Sequence, residues 1–189
     1  MLDPTPGPLD LATFEELLAR SETKLELLEG EVVAFAGGSI AHAVLTSRLH
    51  AAVAGVAATG CQAFTSDVAV RLQDARTYVF PDVSYTCEPL DPQATAIVAP
   101  VLVIEVISPD SKTRDRVEKL DAYQSIPSLQ EYVLVDSRRV WTCVYRRFAS
   151  TWTETVLNSL EDTLELHAPS VAIPLATLYA GTARILEEP

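Results

Sequence analysis

Two acidic residues in apolar surroundings and one lysine carry the strongest chemical signal in this sequence. Asp82 sits in Pro81-Asp82-Val83, within a run of strand-forming residues, and Glu105 interrupts the apolar stretch VLVIEVI at 101–107. An ionised carboxylate in such a run is costly unless it is exposed, paired or bound to a cation. A structural salt bridge would account for either one alone. Both together, on neighbouring predicted strands, point to a shared Mg2+ or Mn2+ ion, because hard cations take oxygen ligands from such positions. Lys119 follows on a predicted helix, and Asp115, Lys119 and Tyr123 lie four residues apart, hence on one face. Lys119 either pairs with Asp115 at the surface or turns its ammonium to the ion site. There it would orient an attacking water and balance charge on a pentacovalent phosphate. No serine, cysteine or tyrosine nucleophile with an adjacent base is visible, so a covalent intermediate is not expected.

Weaker candidates lie upstream. Glu26 and Glu31 flank a predicted hairpin turn, and His42 falls in the first turn of a long apolar helix. His42 reads as a proton shuttle or an outer ligand of the ion, or else as a capping or surface residue. Of the two glutamates, Glu31 ranks first as a site residue and Glu26 below it. No partner suggests itself for His50 or His167.

The elements that must position these residues follow from pattern. Residues 1–9, with Pro4, Pro6, Gly7 and Pro8, read as an unstructured leader, and 10–189 as a single domain. Asp10 resembles an N-cap for a helix through LATFEELLAR. KLELLEGEVVAFA reads as a hairpin turning at Glu29-Gly30. Ser39 caps a helix running from Ile40 to a stop at Gly60. CQAFTSDVAVRL, YVFPDVSYT and VLVIEVI then read as strands, the last central and buried. SPDSKTRDRVEKLDAYQSI is a helix closed by Pro127, and EYVLVD the parallel strand of a β-α-β unit with a right-handed crossover. RRVWTCVYRR and TWTETVL add antiparallel strands, and the tail ends in a short helix begun at Pro174. A mixed α/β core results, without the GxGxxG or P-loop of a doubly wound nucleotide-binding sheet.

Composition bounds the function classes. Fourteen Lys and Arg against 26 Asp and Glu leave a net charge of −12, which opposes long-range attraction of a nucleic acid duplex. Local patches at Lys112, Arg114, Arg116 and Lys119, at Arg138-Arg139 and at Arg146-Arg147 would offset this, as would cations held by carboxylates, although each patch taken singly reads first as solvated surface charge. No apolar run of transmembrane length occurs, and the N-terminus is not a basic-then-apolar leader. Cys61, Cys87 and Cys143 read as reduced residues of a cytoplasmic protein, two or more of them inside strands.

PDV at 81–83, EVISP at 105–109, DRVEKLDAY at 115–123 and EYVLVD at 131–136 occur in order, preceded by LELLEGEVVAFAGG and TSDVAVRL. In this combination the chain resembles the Uma-type "putative restriction endonuclease" family, also called domain of unknown function 820, over most of its length after residue 10. The resemblance implies the PD-(D/E)XK nuclease fold: a mostly antiparallel mixed sheet flanked by helices. It also implies that Asp82, Glu105 and the Val106 carbonyl hold Mg2+ or Mn2+. The family's usual lysine, two residues past the glutamate, is Ile107 here, and the resemblance implies that Lys119 takes its part. Glu31 occupies a motif position, GEVV, characteristic of the family. Metal-dependent hydrolysis of DNA by a homodimer is the activity implied. The alternative is a nuclease fold retained as a nucleic-acid or protein-binding module without turnover, and a phosphoesterase for RNA or small nucleotides stands third.

Overall fold

The computed structural model describes residues 8–34, 38–74, 76–107 and 119–182. Helix α1 (Leu11–Arg20) starts at Asp10, whose Oδ1 accepts the Thr13 N–H at 2.8 Å and whose carboxyl is thereby held below the usual range. Strands β1 (Leu25–Leu28) and β2 (Glu31–Ala34) form an antiparallel hairpin. Its two-residue turn has Glu29 at φ 51° and Gly30 at φ 88°, the doubly left-handed geometry that suits the twist of a tight hairpin. A Cβ on Gly30 would stand 2.5 Å from Pro8 Cβ, so glycine is needed there for space as well as for backbone angle.

Helix α2 (Ile40–Gly55) begins at Ser39, whose Oγ accepts the His42 N–H. It ends at Gly55, a turn before the expected stop at Gly60. Its buried residues Ala41, Leu45, Leu49 and Val53 are spaced four apart, and that stripe ends at Val53. Beyond it Val56 is exposed.

CQAFTSDVAVRL and YVFPDVSYT, each expected as one strand, are each two. The first gives β3 (Gln62–Thr65) and β4 (Ala69–Arg71); the second gives β5 (Tyr78–Val79) and β6 (Val83–Thr86). In both cases the chain leaves one sheet and enters another. With β7 (Ala96–Ile97), the five-stranded sheet has the order β2-β1-β5-β4-β7. The six-stranded sheet adds β8 (Pro100–Ile107), β9 (Glu131–Asp136), β10 (Thr142–Phe148) and β11 (Thr151–Leu157), in the order β11-β10-β9-β8-β6-β3. The second crossing falls at Phe80-Pro81-Asp82, where Pro81 has no N–H to offer a ladder.

Strand β8 is central, as expected. It pairs antiparallel with β6 and parallel with β9, and helix α3 (Lys119–Gln124) lies between β8 and β9 in sequence. The expected start of that helix, with Asp115 and the cluster Lys112, Arg114 and Arg116, lies outside the described residues. Strands β12 (Thr163–His167) and β13 (Ser170–Pro174) form a hairpin the sequence pattern did not suggest. Helix α4 (Leu175–Leu178) follows Pro174, where expected.

The period of two along β8 sorts the two core faces. Leu102, Ile104 and Val106 pack with Leu45, Leu49 and Val53 of α2. Val103 and Ile107 pack with Tyr123 of α3 and with Leu28, Val70 and Val79 of the five-stranded sheet. Each such fully buried aliphatic contributes about 1.5–3 kcal/mol. Glu105 shares parity with Val103 and Ile107, so it faces α3 and the second sheet.

The cysteine reading is corrected at two positions. Cys61 and Cys87 form a disulfide. Antiparallel pairing sets Gln62 opposite Thr86, so one step further Cys61 meets Cys87 across the β3–β6 edge. Only Cys143 is a strand residue, and it is buried and outside that disulfide.

Candidate active site

Strand β6 begins at Val83, opposite Ile104 of β8. Continuing that antiparallel register by one step brings Asp82 opposite Glu105, two like charges where neighbouring side chains would repel. The structure separates their roles through different partners. Asp82 Oδ2 accepts the Val106 backbone N–H at 2.7 Å and lies 3.2 Å from His42 Nε2. Glu105 Oε1 accepts hydrogen bonds from Lys119 Nζ and from the Tyr123 hydroxyl, each at 3.0 Å. Lys119 and Tyr123 reach the same carboxylate because they are one helical turn apart on α3.

Lys119 has another carboxylate beside it. Its Nζ lies 3.1 Å from Glu26 Oε2 and 3.2 Å from Oε1, and Glu26 Oε1 also accepts the Phe80 N–H at 2.8 Å. Glu26, Asp82 and Glu105 are each 5% exposed and Lys119 4%, so the group is nearly removed from water. Burial, then the Glu105 charge, push the Tyr123 phenol well above its ordinary value, and it stays a hydrogen-bond donor. Gly38 leaves room for the His42 ring: a Cβ there would come within 2.5 Å of His42 Nδ1.

The donor set suits a hard divalent cation. Among the described residues no three His, Cys, Asp or Glu side chains are grouped as a ready-made metal cage. Mg2+ needs less than that, commonly one or two carboxylates completed by water and phosphate oxygens. Asp82 Oδ1 takes no hydrogen bond among the described residues, whereas Oδ2 is occupied. Along a strand the N–H and C=O of one residue point to the same edge. The Val106 carbonyl therefore faces the Asp82 side, beyond the point where β6 begins and could pair with it. A buried carboxylate oxygen and a strand carbonyl thus lie beside the same edge of β8, next in sequence to Glu105.

Of the residues singled out in sequence, Asp82, Glu105, Val106, Lys119 and His42 come together. Glu31 lies exposed on edge strand β2, opposite Leu28, outside these contacts. Glu26, ranked below it, is inside them. The signal was the alternation in LELL: Glu26 shares a strand face with Leu28, which is buried beside Tyr123, while Leu27 packs on α1. Two of the basic pairs are largely spoken for. Arg139 pairs with Asp136 and lies over Trp141, and Arg146 pairs with the buried Glu131. Arg147 caps the carbonyls of Gln124, Ile126 and Leu129 and stacks on Trp152. These cations serve the fold.

Comparison with known proteins adds the lineage. The chain is 33% identical over 184 residues to the uncharacterized protein slr1290 of Synechocystis sp., covering 95% of this chain and 94% of that one. It is 32% identical over 133 residues to the uncharacterized protein sll1609 of the same organism, covering 67% and 75%. A crystal structure of "a putative nuclease belonging to DUF820" from Anabaena variabilis superposes with a TM-score of 0.78 at 19% identity, over 93% of this chain and 99% of that one. At that identity the match establishes a shared fold. The model of the Uma2 family, described as "Putative restriction endonuclease", matches residues 11–176, and the chain belongs to that family.

Proposed function

We propose that the chain is a divalent-cation-dependent endonuclease that hydrolyses phosphodiester bonds in DNA. The observation that carries the proposal is the Lys119 ammonium 3.0 Å from Glu105, beside Asp82, which bonds the amide of the next β8 residue, Val106, at 2.7 Å. Asp82, Glu105 and the Val106 carbonyl would hold Mg2+ or Mn2+, which supplies Lewis-acid stabilisation of charge on the phosphate. The chain's own groups do the rest. Lys119 orients the water whose oxygen bonds to phosphorus, and its positive charge offsets the charge gathering on the phosphate oxygens as the ester P–O bond breaks. Tyr123 keeps Glu105 aimed, and the Val106 N–H and His42 keep Asp82 aimed. Cutting both strands calls for two sites, and a homodimer is the simplest source of them.

Lys119 reaches the site from α3 because the strand position two past Glu105 is filled by Ile107, 1% exposed in the core. That same substitution favours the second reading, a non-cutting module that binds nucleic acid or protein. Incubation of the purified protein with supercoiled plasmid separates the two. Nicked or linear product with Mn2+ or Mg2+, lost with chelator and in Glu105→Ala, supports the nuclease. Product that persists in Glu105→Ala sinks it.

A further inference from the structure

We propose that Glu26 is a positioning residue that fixes the Lys119 ammonium over Glu105 and couples it to the segment carrying Asp82. Nothing in the strand order requires a carboxylate at Glu26. It sits on β1, in the five-stranded sheet, whereas Glu105 belongs to the six-stranded sheet and Asp82 immediately precedes that sheet's strand β6. Its side chain bridges the two. Glu26 Oε1 accepts the Phe80 N–H at 2.8 Å, in the crossing Phe80-Pro81-Asp82 that delivers Asp82 to the end of β6. Both Glu26 oxygens lie within 3.2 Å of Lys119 Nζ.

A lysine stem has four rotatable bonds, so an ammonium placed from a helix is less defined than one placed from the strand itself. With Ile107 at the strand position, definition must come from partners. Glu105 supplies one contact and Glu26 another, from a separate element. The ammonium thus has a carboxylate from each sheet within hydrogen-bond distance, each of them 5% exposed. A misplacement of about 1 Å in such a group costs on the order of 100-fold in rate. The catalytic consequence rests on the nuclease reading; the positioning itself does not.

The test compares wild type with Glu26→Gln, Glu26→Asp and the exposed control Glu31→Gln. Three quantities are read: kcat and KM on plasmid, the Mn2+-dependent rise in Tm, and acetylation of Lys119 by acetic anhydride relative to Lys24 in the same sample. Glu26→Gln should lower kcat by about 100-fold, with KM and the Mn2+ response within about twofold of wild type. Lys119 should acetylate several-fold faster. Glu26→Asp, which keeps the charge one methylene further back, should recover part of both effects, and it carries the test if Glu26→Gln fails to fold. Unchanged kcat with unchanged Lys119 acetylation overturns the proposal. Loss of the Mn2+ response also overturns it, because Glu26 would then be a cation ligand. If wild type cuts no substrate the nuclease reading fails, and acetylation alone decides: faster modification supports the positioning role and an unchanged rate refutes it.

Discussion

Asp82 Oδ2 accepts the Val106 amide at 2.7 Å, so a side chain continues the β6–β8 ladder where the β6 backbone stops. The carboxylate therefore has a structural task besides any cation it holds. Asp82→Ala leaves a buried N–H without an acceptor, and should cost about 1–3 kcal/mol in urea denaturation. Asp82→Asn keeps an acceptor and should retain most of that stability while losing the Mn2+-dependent rise in Tm. Equal stability of the two variants would show that the ladder contact is unimportant.

Gly38 and His42 should behave as one unit. Adding a methyl at 38 forces the imidazole away, since it would lie within 2.5 Å of Nδ1 and 2.6 Å of Cγ. Gly38→Ala should lower cleavage roughly tenfold, an interaction cost of about 1.4 kcal/mol. In a His42→Ala background most of that further loss should vanish, because the clashing ring atoms are gone and only the Cβ contact at 3.0 Å remains. Additive losses would mean that Gly38 matters for another reason.

Two buried phenols set the alkaline limit of stability. Burial pushes Tyr179 up to about 12, with its hydroxyl bonded to the Asp136 and Trp141 carbonyls, and pushes Tyr123 well above its ordinary value of 10.0. Each folded-state value is raised, so the stability these groups contribute is complete below about pH 10. It is lost as pH climbs through the folded values, because only the unfolded chain ionises readily in that window. Urea midpoints should hold up to about pH 10 and fall towards pH 12. Tyr179→Phe should flatten the fall, and an unchanged slope in that variant would contradict the assignment.

The Cys61–Cys87 disulfide closes a loop with a sequence separation of 26, which chain-entropy estimates value at about 3–4 kcal/mol. Cys87 is exposed, so reductant has access. Treatment with a dithiol should lower Tm by roughly 10 °C and expose two further thiols to titration in the native protein. A Cys61→Ser variant should match the reduced wild type. If dithiol shifts neither Tm nor thiol count, the pair is already reduced.

Much of this architecture is written in local pattern. The capping residues Asp10 and Ser39, the Glu29-Gly30 turn and the apolar run of the central β8 each follow from residue types within a few positions. The sheet assignment does not. YVFPDVSYT alternates and branches like one strand, and only packing against β1 and β8 divides it at Pro81. Glu26 failed to stand out for a related reason. Its partners, Phe80 and Lys119, are 54 and 93 residues away, and nothing in LELL says what the buried face will meet. Asp82 and Glu105 were legible because their neighbours are apolar, which makes a carboxylate anomalous wherever the strand lies. The disulfide depended on a register between distant strands, which cysteine spacing cannot supply.

In the proposed nuclease, Asp82, Glu105 and the Val106 carbonyl share one divalent cation beside Lys119. Anomalous scattering from crystals soaked in Mn2+ locates that ion. A single strong peak touching oxygens of all three residues, absent in Asp82→Asn, is expected. No peak there at saturating Mn2+, or a peak bound elsewhere on the chain, would contradict it.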